Sequence, residues 1–258
     1  LNYNQNEVTH QLLKSCENLT FDNFDVIVVD NNSIEKLEQI HSYSFPINYI
    51  INNQNLGYAG GINAGIRNTD APFVFIVNND TETTPDLLNK LVEFADGNDV
   101  GIVCPMIKFY DDKERIQYAG YTSINPYTGK NMAMGFGEID NSQYEAPINT
   151  PYAHGAAMLV SRAVLDKIGF MPEEYFLYYE ELDYSMKARR AGFRIIVLPG
   201  AIIYHKGSVS VGKNSPMKTY YLSLNRYKLI KNNFSSIEST IYLIYYSFIV
   251  FPKNVFLY

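Results

Sequence analysis

Phe73-Val74-Phe75-Ile76-Val77 is an unbroken apolar run that stops on Asn78-Asn79-Asp80. Five consecutive apolar residues read as a strand buried on both faces, as in the middle of a parallel sheet covered by helices. Thr84 follows as a helix N-cap with Pro85 at the first helical position, and Leu87, Leu88, Leu91 and Val92 continue at helical spacing. In an open α/β sheet ligands bind beyond the carboxyl ends of the strands, which places Asp80 where chemistry is expected.

The segments before this unit repeat its plan. Val8, Leu12, Leu13, Cys16 and Leu19 recur at helical spacing. Phe24-Asp25-Val26-Ile27-Val28-Val29 reads as a strand ending on Asp30-Asn31-Asn32-Ser33. Ser33 is then expected to cap a helix carrying Ile34, Leu37 and Ile40, and residues 47–51 form a third strand. The alternation predicts an α/β fold with a parallel sheet and right-handed crossovers. The chain opens at Leu1 as though a strand were cut just before it.

Residues 52–66 are rich in glycine and asparagine. No two of their glycines are one residue apart, which excludes a dinucleotide fingerprint. Ile66 stands where a phosphate-binding Walker loop needs lysine. Close approach of a ligand to the backbone and tight packing of helix on sheet remain equal alternatives here.

At 258 residues, 47% hydrophobic and 19% charged, the chain can bury a substantial core. A net charge of -6 with scattered lysines leaves no footprint for nucleic acid. Cys16 and Cys104 read as free thiols of a reducing compartment, and no apolar leader follows a basic start, so a cytoplasmic location is expected.

Beyond Asp80, residues 100–107 form another apolar run, interrupted by Pro105. Residues 108–153 have no sustained helical period and read as hairpins and loops that shape an acceptor pocket. Residues 154–160 resume as a strand, with Ser161 capping a short helix. Glu180, Glu181 and Asp183 precede or open a helix that Gly192 ends, where acids favour the positive end of the helix dipole. Residues 193–199 and 201–205 read as two further strands, the second ending on His205.

Taken together, the order Asn2-Tyr3-Asn4, Val28-Val29-Asp30-Asn31-Asn32-Ser33, Asn55-x-Gly57-x-x-x-Gly61-x-Asn63-x-Gly65, Val77-Asn78-Asn79-Asp80, Gly155-Ala156, Phe176-Leu177-Tyr178-Tyr179-Glu180-Glu181-Leu182-Asp183 and Tyr204-His205 resembles the inverting family 2 glycosyltransferases. Within them it looks most like the rhamnosyltransferase-like branch. Each motif is weak alone; seven in order are not. The resemblance implies a GT-A fold, Rossmann-like with a mostly parallel central sheet, over residues 1–233. It implies a nucleotide-diphosphate sugar donor, UDP- or dTDP-linked, and a divalent cation, Mg²⁺ or Mn²⁺. Tyr3, Asp30 and Asn31 would lie near the nucleotide base, and Asn55, Gly57 and Asn63 near the ribose or diphosphate. Asp80 would be the metal-binding acid, with Asn78 and Asn79 beside it, and His205 a further metal ligand. Glu181 falls on the catalytic-base position.

Two departures stand out. Asn79 replaces the proline common in the branch, leaving one carboxylate in the triplet, so the cation would arrive with the donor phosphate. Glu181 stands where Asp is usual, and its extra methylene leaves Glu180 or Asp183 as alternative bases. The rival readings are a nucleotidyltransferase and a nucleotide-sugar-binding protein without catalysis. Residues 216–231 read as a helix and 234–258 as a hydrophobic, tyrosine-rich tail. It is too short for a confident membrane span and suits either a water–lipid interface, with a lipid-linked acceptor at the inner face of the membrane, or packing on the catalytic domain or a second subunit.

Overall fold

The computed structural model of the chain describes residues 1–40, 42–207 and 215–252. The last part of the expected tail, residues 253–258, lies outside them. The chain runs α1 (Asn6–Cys16), β1 (Val26–Asp30), β2 (Ile47–Ile51), α2 (Gly57–Ile66), β3 (Phe73–Val77), β4 (Thr81–Thr83), α3 (Leu87–Asn98), β5 (Ile102–Phe109), β6 (Ile116–Tyr118), β7 (Ile148–Asn149), β8 (Ala157–Ser161), α4 (Arg162–Ile168), α5 (Glu180–Arg190), β9 (Ile195–His205), α6 (Pro216–Asn233) and α7 (Ser236–Tyr245). A π-helical turn at Tyr246–Val250 continues α7.

The α/β class holds, but the pairing is mixed rather than mostly parallel. β1 and β2 form a separate parallel pair, and the seven-stranded sheet has the path β3-β8-β5-β9-β4, with β6 on β5 and β7 on β9. In that sheet β5 and β9 run parallel, and the other pairs are antiparallel. The apolar run at residues 73–77 therefore makes a strand at one end of the path, where only Ile76 is fully buried. The strand buried along nearly its whole length is β5. A short apolar run reports burial; it does not report its neighbours.

Residues 193–199 and 201–205 belong to one strand. Leu198 pairs with Pro105 and Ile202 with Met106, so the residues between them bulge opposite the proline that cannot donate to the ladder. The main core gathers Leu87, Leu91 and Ala95 of α3 with Ile102, Ile107, Ile195 and Ile203 of β5 and β9.

Three local expectations need correction. No helix follows Ser33 among the described residues. Asn6 Nδ2 donates to the carbonyls of Glu35 and Lys36, and the Leu37 N–H donates to Tyr49 Oη, so side chains satisfy the backbone that a helix would have used. Residues 81–83 are strand, not loop. Helix α3 starts after Asp86, and the Thr84 hydroxyl donates to Ile202 O on β9 instead of capping.

The glycines of α2 serve packing. A Cβ on Gly65 would press on Val29, and one on Gly61 would collide with Leu1. Cys16 and Cys104 are free. Among the described residues no helix is long and apolar enough to cross a membrane. The tail packs through Tyr242 against Tyr179, Leu182 and Leu229, while Ile237, Ile241, Ile244, Phe248 and Phe251 lie exposed. Those five sit at helical spacing, so one stripe of the tail faces out.

Candidate active site

Asp80 sits between β3 and β4, and β4 pairs with the end of β9 so that Thr81 lies opposite His205. The Lys206 N–H donates to Asp80 O at 2.9 Å, locking the junction. Adjacent strands thus deliver two side chains far apart in sequence. His205 Nε2 lies 3.2 Å from Asp80 Oδ1, and its Nδ1 lies 2.8 Å from Gln117 Oε1. An amide oxygen only accepts, so Nδ1 carries a hydrogen, which leaves Nε2 as the ring atom that faces Asp80 and that a metal ion would take. Asp80 Oδ1 is itself buried without a hydrogen bond. Two electron-rich atoms facing one another, one of them orphaned, fit a hard divalent cation. Among the described residues no group of three or more His, Cys, Asp or Glu could hold a metal ion, and Asp80 and His205 are a facing pair there.

His154 joins this cluster and was not singled out from the sequence. Its ring is edge-on to His205 (centroids 6.1 Å apart) and stacked on Tyr121 (5.8 Å). Its Nδ1 accepts from the Ala156 N–H at 3.0 Å. Burial, then the neighbouring His205, push its pKa down to about 3 against the pull of Asp80, so the imidazole is neutral. Its place immediately before Gly155-Ala156 was the available signal.

Glu180 and Glu181 open α5. Oε2 of each is buried with no hydrogen bond. Burial raises both carboxyls, Glu181 to about 7 and Glu180 well above the ordinary value, where the charge of Glu181 raises it further. Gly155 packs against Glu181, and Tyr58 of α2 donates its hydroxyl to Gly155 O at 2.6 Å. Burial, then the charges of Glu180, Glu181 and Asp80, raise the Tyr58 phenol, so all three carboxylates lie within electrostatic reach of its hydroxyl. Asp183 turns elsewhere. Its Oδ1 accepts from Asn233 Nδ2 at 2.6 Å and its Oδ2 lies 2.7 Å from Lys187 Nζ.

The residues assigned to the donor nucleotide are differently built. Asp30 accepts from Asn2 Nδ2 (2.8 Å) and the Ser33 N–H (2.7 Å) and lies 3.3 Å from Lys36 Nζ. Burial would raise its carboxyl, but these donors outweigh it and hold the pKa below the usual range. Asn31 donates to Asn55 Oδ1 and Gly57 O and accepts from Asn52 Nδ2 and the Leu56 N–H, using its full capacity within the protein. Asn63 is likewise consumed, clamping Met171 through both N–H and C=O and donating to Glu173. Gly57 has φ +73°, and a Cβ there would stand 2.3 Å from Phe176 O, so only glycine fits. Asn79 Nδ2 donates to Thr9 of α1, whereas the Asn78 N–H bonds Ala156 O. Tyr3 stands exposed, and a cavity of about 350 Å³ lined by Asn4, Asn6, Ile34 and Glu35 opens nearby.

Residues 1–169 match the model of the family described as Glycosyl transferase family 2. The chain belongs to that family. It is 28% identical over 175 residues to the low-salt glycan biosynthesis hexosyltransferase Agl10 of Haloferax volcanii, covering 66% of this chain and 55% of that protein. The chain thus spans about half the length of that relative. It is 22% identical over 220 residues to the dTDP-rhamnosyl transferase RfbF of Shigella flexneri, covering 81% and 71%.

Among solved structures, TarS residues 1–349 of S. aureus superposes with a TM-score of 0.61 at 19% identity, over 96% of this chain and 70% of that one. The mannosyltransferase PcManGT of Pyrobaculum calidifontis, solved with GDP-Man and Mn²⁺, gives 0.60 at 15% identity over 95% and 73%. The fold is that of the GT-A glycosyltransferases.

Proposed function

We propose that this chain is a hexosyltransferase that moves a sugar from a nucleoside-diphosphate donor to a hydroxyl of a glycan or lipid-linked acceptor, with inversion at the anomeric carbon. The observation that carries the reading is the facing pair Asp80 and His205 together with the buried, unpaired carboxylate oxygens of Asp80, Glu180 and Glu181, Glu181 lying against Gly155, whose carbonyl Tyr58 holds. The glycosyltransferase names of the relatives and the GDP-Man and Mn²⁺ of one structural neighbour support it.

Asp80 and His205 would hold the divalent cation, Mg²⁺ or Mn²⁺, which would supply positive charge to offset that of the departing diphosphate. Ionised Glu181 accepts the proton of the acceptor hydroxyl. The oxygen bonds to the anomeric carbon as the carbon–oxygen bond to the diphosphate breaks. Burial raises Glu180 and the charge of Glu181 raises it further, so the two carboxyls ionise in turn and one carboxylate is available as the base. His154 packs between Tyr118 and Tyr121, which backs the site with ring surface behind His205. Asn55 and Asn78, together with the cavity beside Tyr3, are offered to the nucleotide.

Nucleotide release from a panel of UDP-, dTDP- and GDP-sugars, with Mn²⁺ or Mg²⁺, tests the proposal. Glu181→Gln is expected to bind the active donor, as read by thermal shift, and to lose release. Undiminished release by that variant refutes the base. The exposed stripe of the tail fits a lipid surface, as a lipid-linked acceptor requires. The full chain should float with anionic liposomes, and Ile244→Asp with Phe248→Asp should not; equal flotation removes the membrane contact.

A further inference from the structure

The turn that leads into α5 is strained. Phe176, Tyr178 and Tyr179 have φ of +59°, +69° and +74°, and none is glycine. Such conformations persist only where the surroundings over-determine them. Two surroundings do so here. On one side Gly57 and the Tyr58 N–H press on Phe176, the latter bonding Phe176 O at 2.6 Å. On the other lies α6, beyond the part of the chain that the family model matches.

Asn225 of α6 is fully buried, and its Nδ2 donates to the carbonyls of Tyr175 (2.6 Å), Leu177 (2.8 Å) and Tyr178 (3.1 Å). One amide thus gathers three carbonyls from within a four-residue span. Its own Oδ1 is buried without a partner, so the side chain keeps an unsatisfied acceptor in order to present those hydrogens. Serine has one donor, and alanine and aspartate have none. The next residue, Arg226, donates Nε to Tyr179 Oη at 2.6 Å. Two turns on, Asn233 bonds Asp183, and Arg190 bonds Asn233 in return, so α6 grips α5 behind the turn as well.

We propose that Asn225 is a positioning residue: by gathering the carbonyls of residues 175, 177 and 178 it holds the left-handed turn that sets Glu181 against the acceptor. The role rests on the reading of Glu181 as base. It also explains why α6 sits so tightly on the site.

The test compares Asn225→Ala and Asn225→Ser with wild type and Glu181→Gln, in the full chain. Two readouts are needed: nucleotide release from the donor sugars with Mn²⁺, and amide hydrogen exchange of residues 177–183 without any substrate. Asn225→Ala is expected to lower kcat at least tenfold with the donor KM within twofold, and Asn225→Ser to recover part of it. Exchange over 177–183 should quicken at least tenfold, while amides of β5 keep their rates. Unchanged exchange in the turn overturns the proposal, and so does wild-type kcat in Asn225→Ala when Glu181→Gln is inactive. Full release by Glu181→Gln instead removes the base, and the exchange rates alone then decide whether Asn225 holds the turn. Asn225→Ser keeps a polar group in place and remains the folded comparison if the alanine variant collapses.

Discussion

The two halves of the proposed donor cleft differ in how their polar groups are used. Around Asp30, Asn31 and Asn63 the side chains bond one another and nearby backbone until little capacity remains. In each of Asp80, Glu180 and Glu181 one buried carboxylate oxygen has no hydrogen bond among the described residues. Buried polar groups are normally paired, so the first half reads as scaffold and the second as chemistry waiting for a ligand. Motif residues that look alike on paper therefore do different work. In the proposed function one set shapes the loops, and the other set acts.

If that contrast is right, changes at the unpaired end should cost turnover and spare the fold. Asp80→Asn is expected to lower metal-dependent transfer about a thousandfold, since a unit charge ~4 Å from developing charge at an effective dielectric of ~20 contributes about 4 kcal/mol. Its melting temperature should hold or rise, because an unpaired buried charge is removed. Calorimetry beside the kinetic assay checks both halves, and a large loss of stability would blur the contrast.

Changes at the paired end should do the reverse. Asn31→Ala or Asn63→Ala removes three or four hydrogen bonds at ~1 kcal/mol each, so each should cost about 3 kcal/mol. Thermal melts should fall by roughly 6 to 12 °C for a chain of this size. A variant with native stability and abolished donor binding would instead make these asparagines ligand contacts.

The smallest and most graded effect is that of pH. Burial raises Glu181 to about 7, and the base works ionised, so kcat/KM should climb about tenfold per unit below pH 7 and level off above it. The stability sign is opposite. A carboxyl whose folded pKa lies above its unfolded value favours the native state most at low pH, and that contribution is lost as pH rises toward 7. A rate profile flat between pH 5 and 8 would take the base role from Glu181.

Much of this was legible beforehand because strand tips announce themselves. Apolar runs ending on Asp30, Asp80 and His205 placed all three at strand ends, where β1, β3 and β9 deliver them. Pairing partners were not legible: alternation of strand and helix suggested a parallel sheet, but nothing within residues 73–77 encodes the antiparallel neighbour β8. The absent helix after Ser33 was equally hidden, because the carbonyls of residues 35 and 36 are satisfied by Asn6 from α1, a contact that periodicity cannot report. Asn225 escaped for a related reason. A lone asparagine among tyrosines and leucines carries no pattern; only its three carbonyl partners give it meaning.

The long strand β9 carries a consequence of its bulge. Side chains along a strand alternate between faces, so the surplus residues opposite Pro105 decide which residue of β9 stands opposite Thr81, next to Asp80. A deletion at Gly200 has two resolutions: the bulge shortens and His205 stays opposite Thr81, or the bulge keeps its length and Lys206 takes that place. In the second an ammonium would occupy the proposed cation site, so the length of a bulge far from the cleft decides whether a ligand or a competitor stands there.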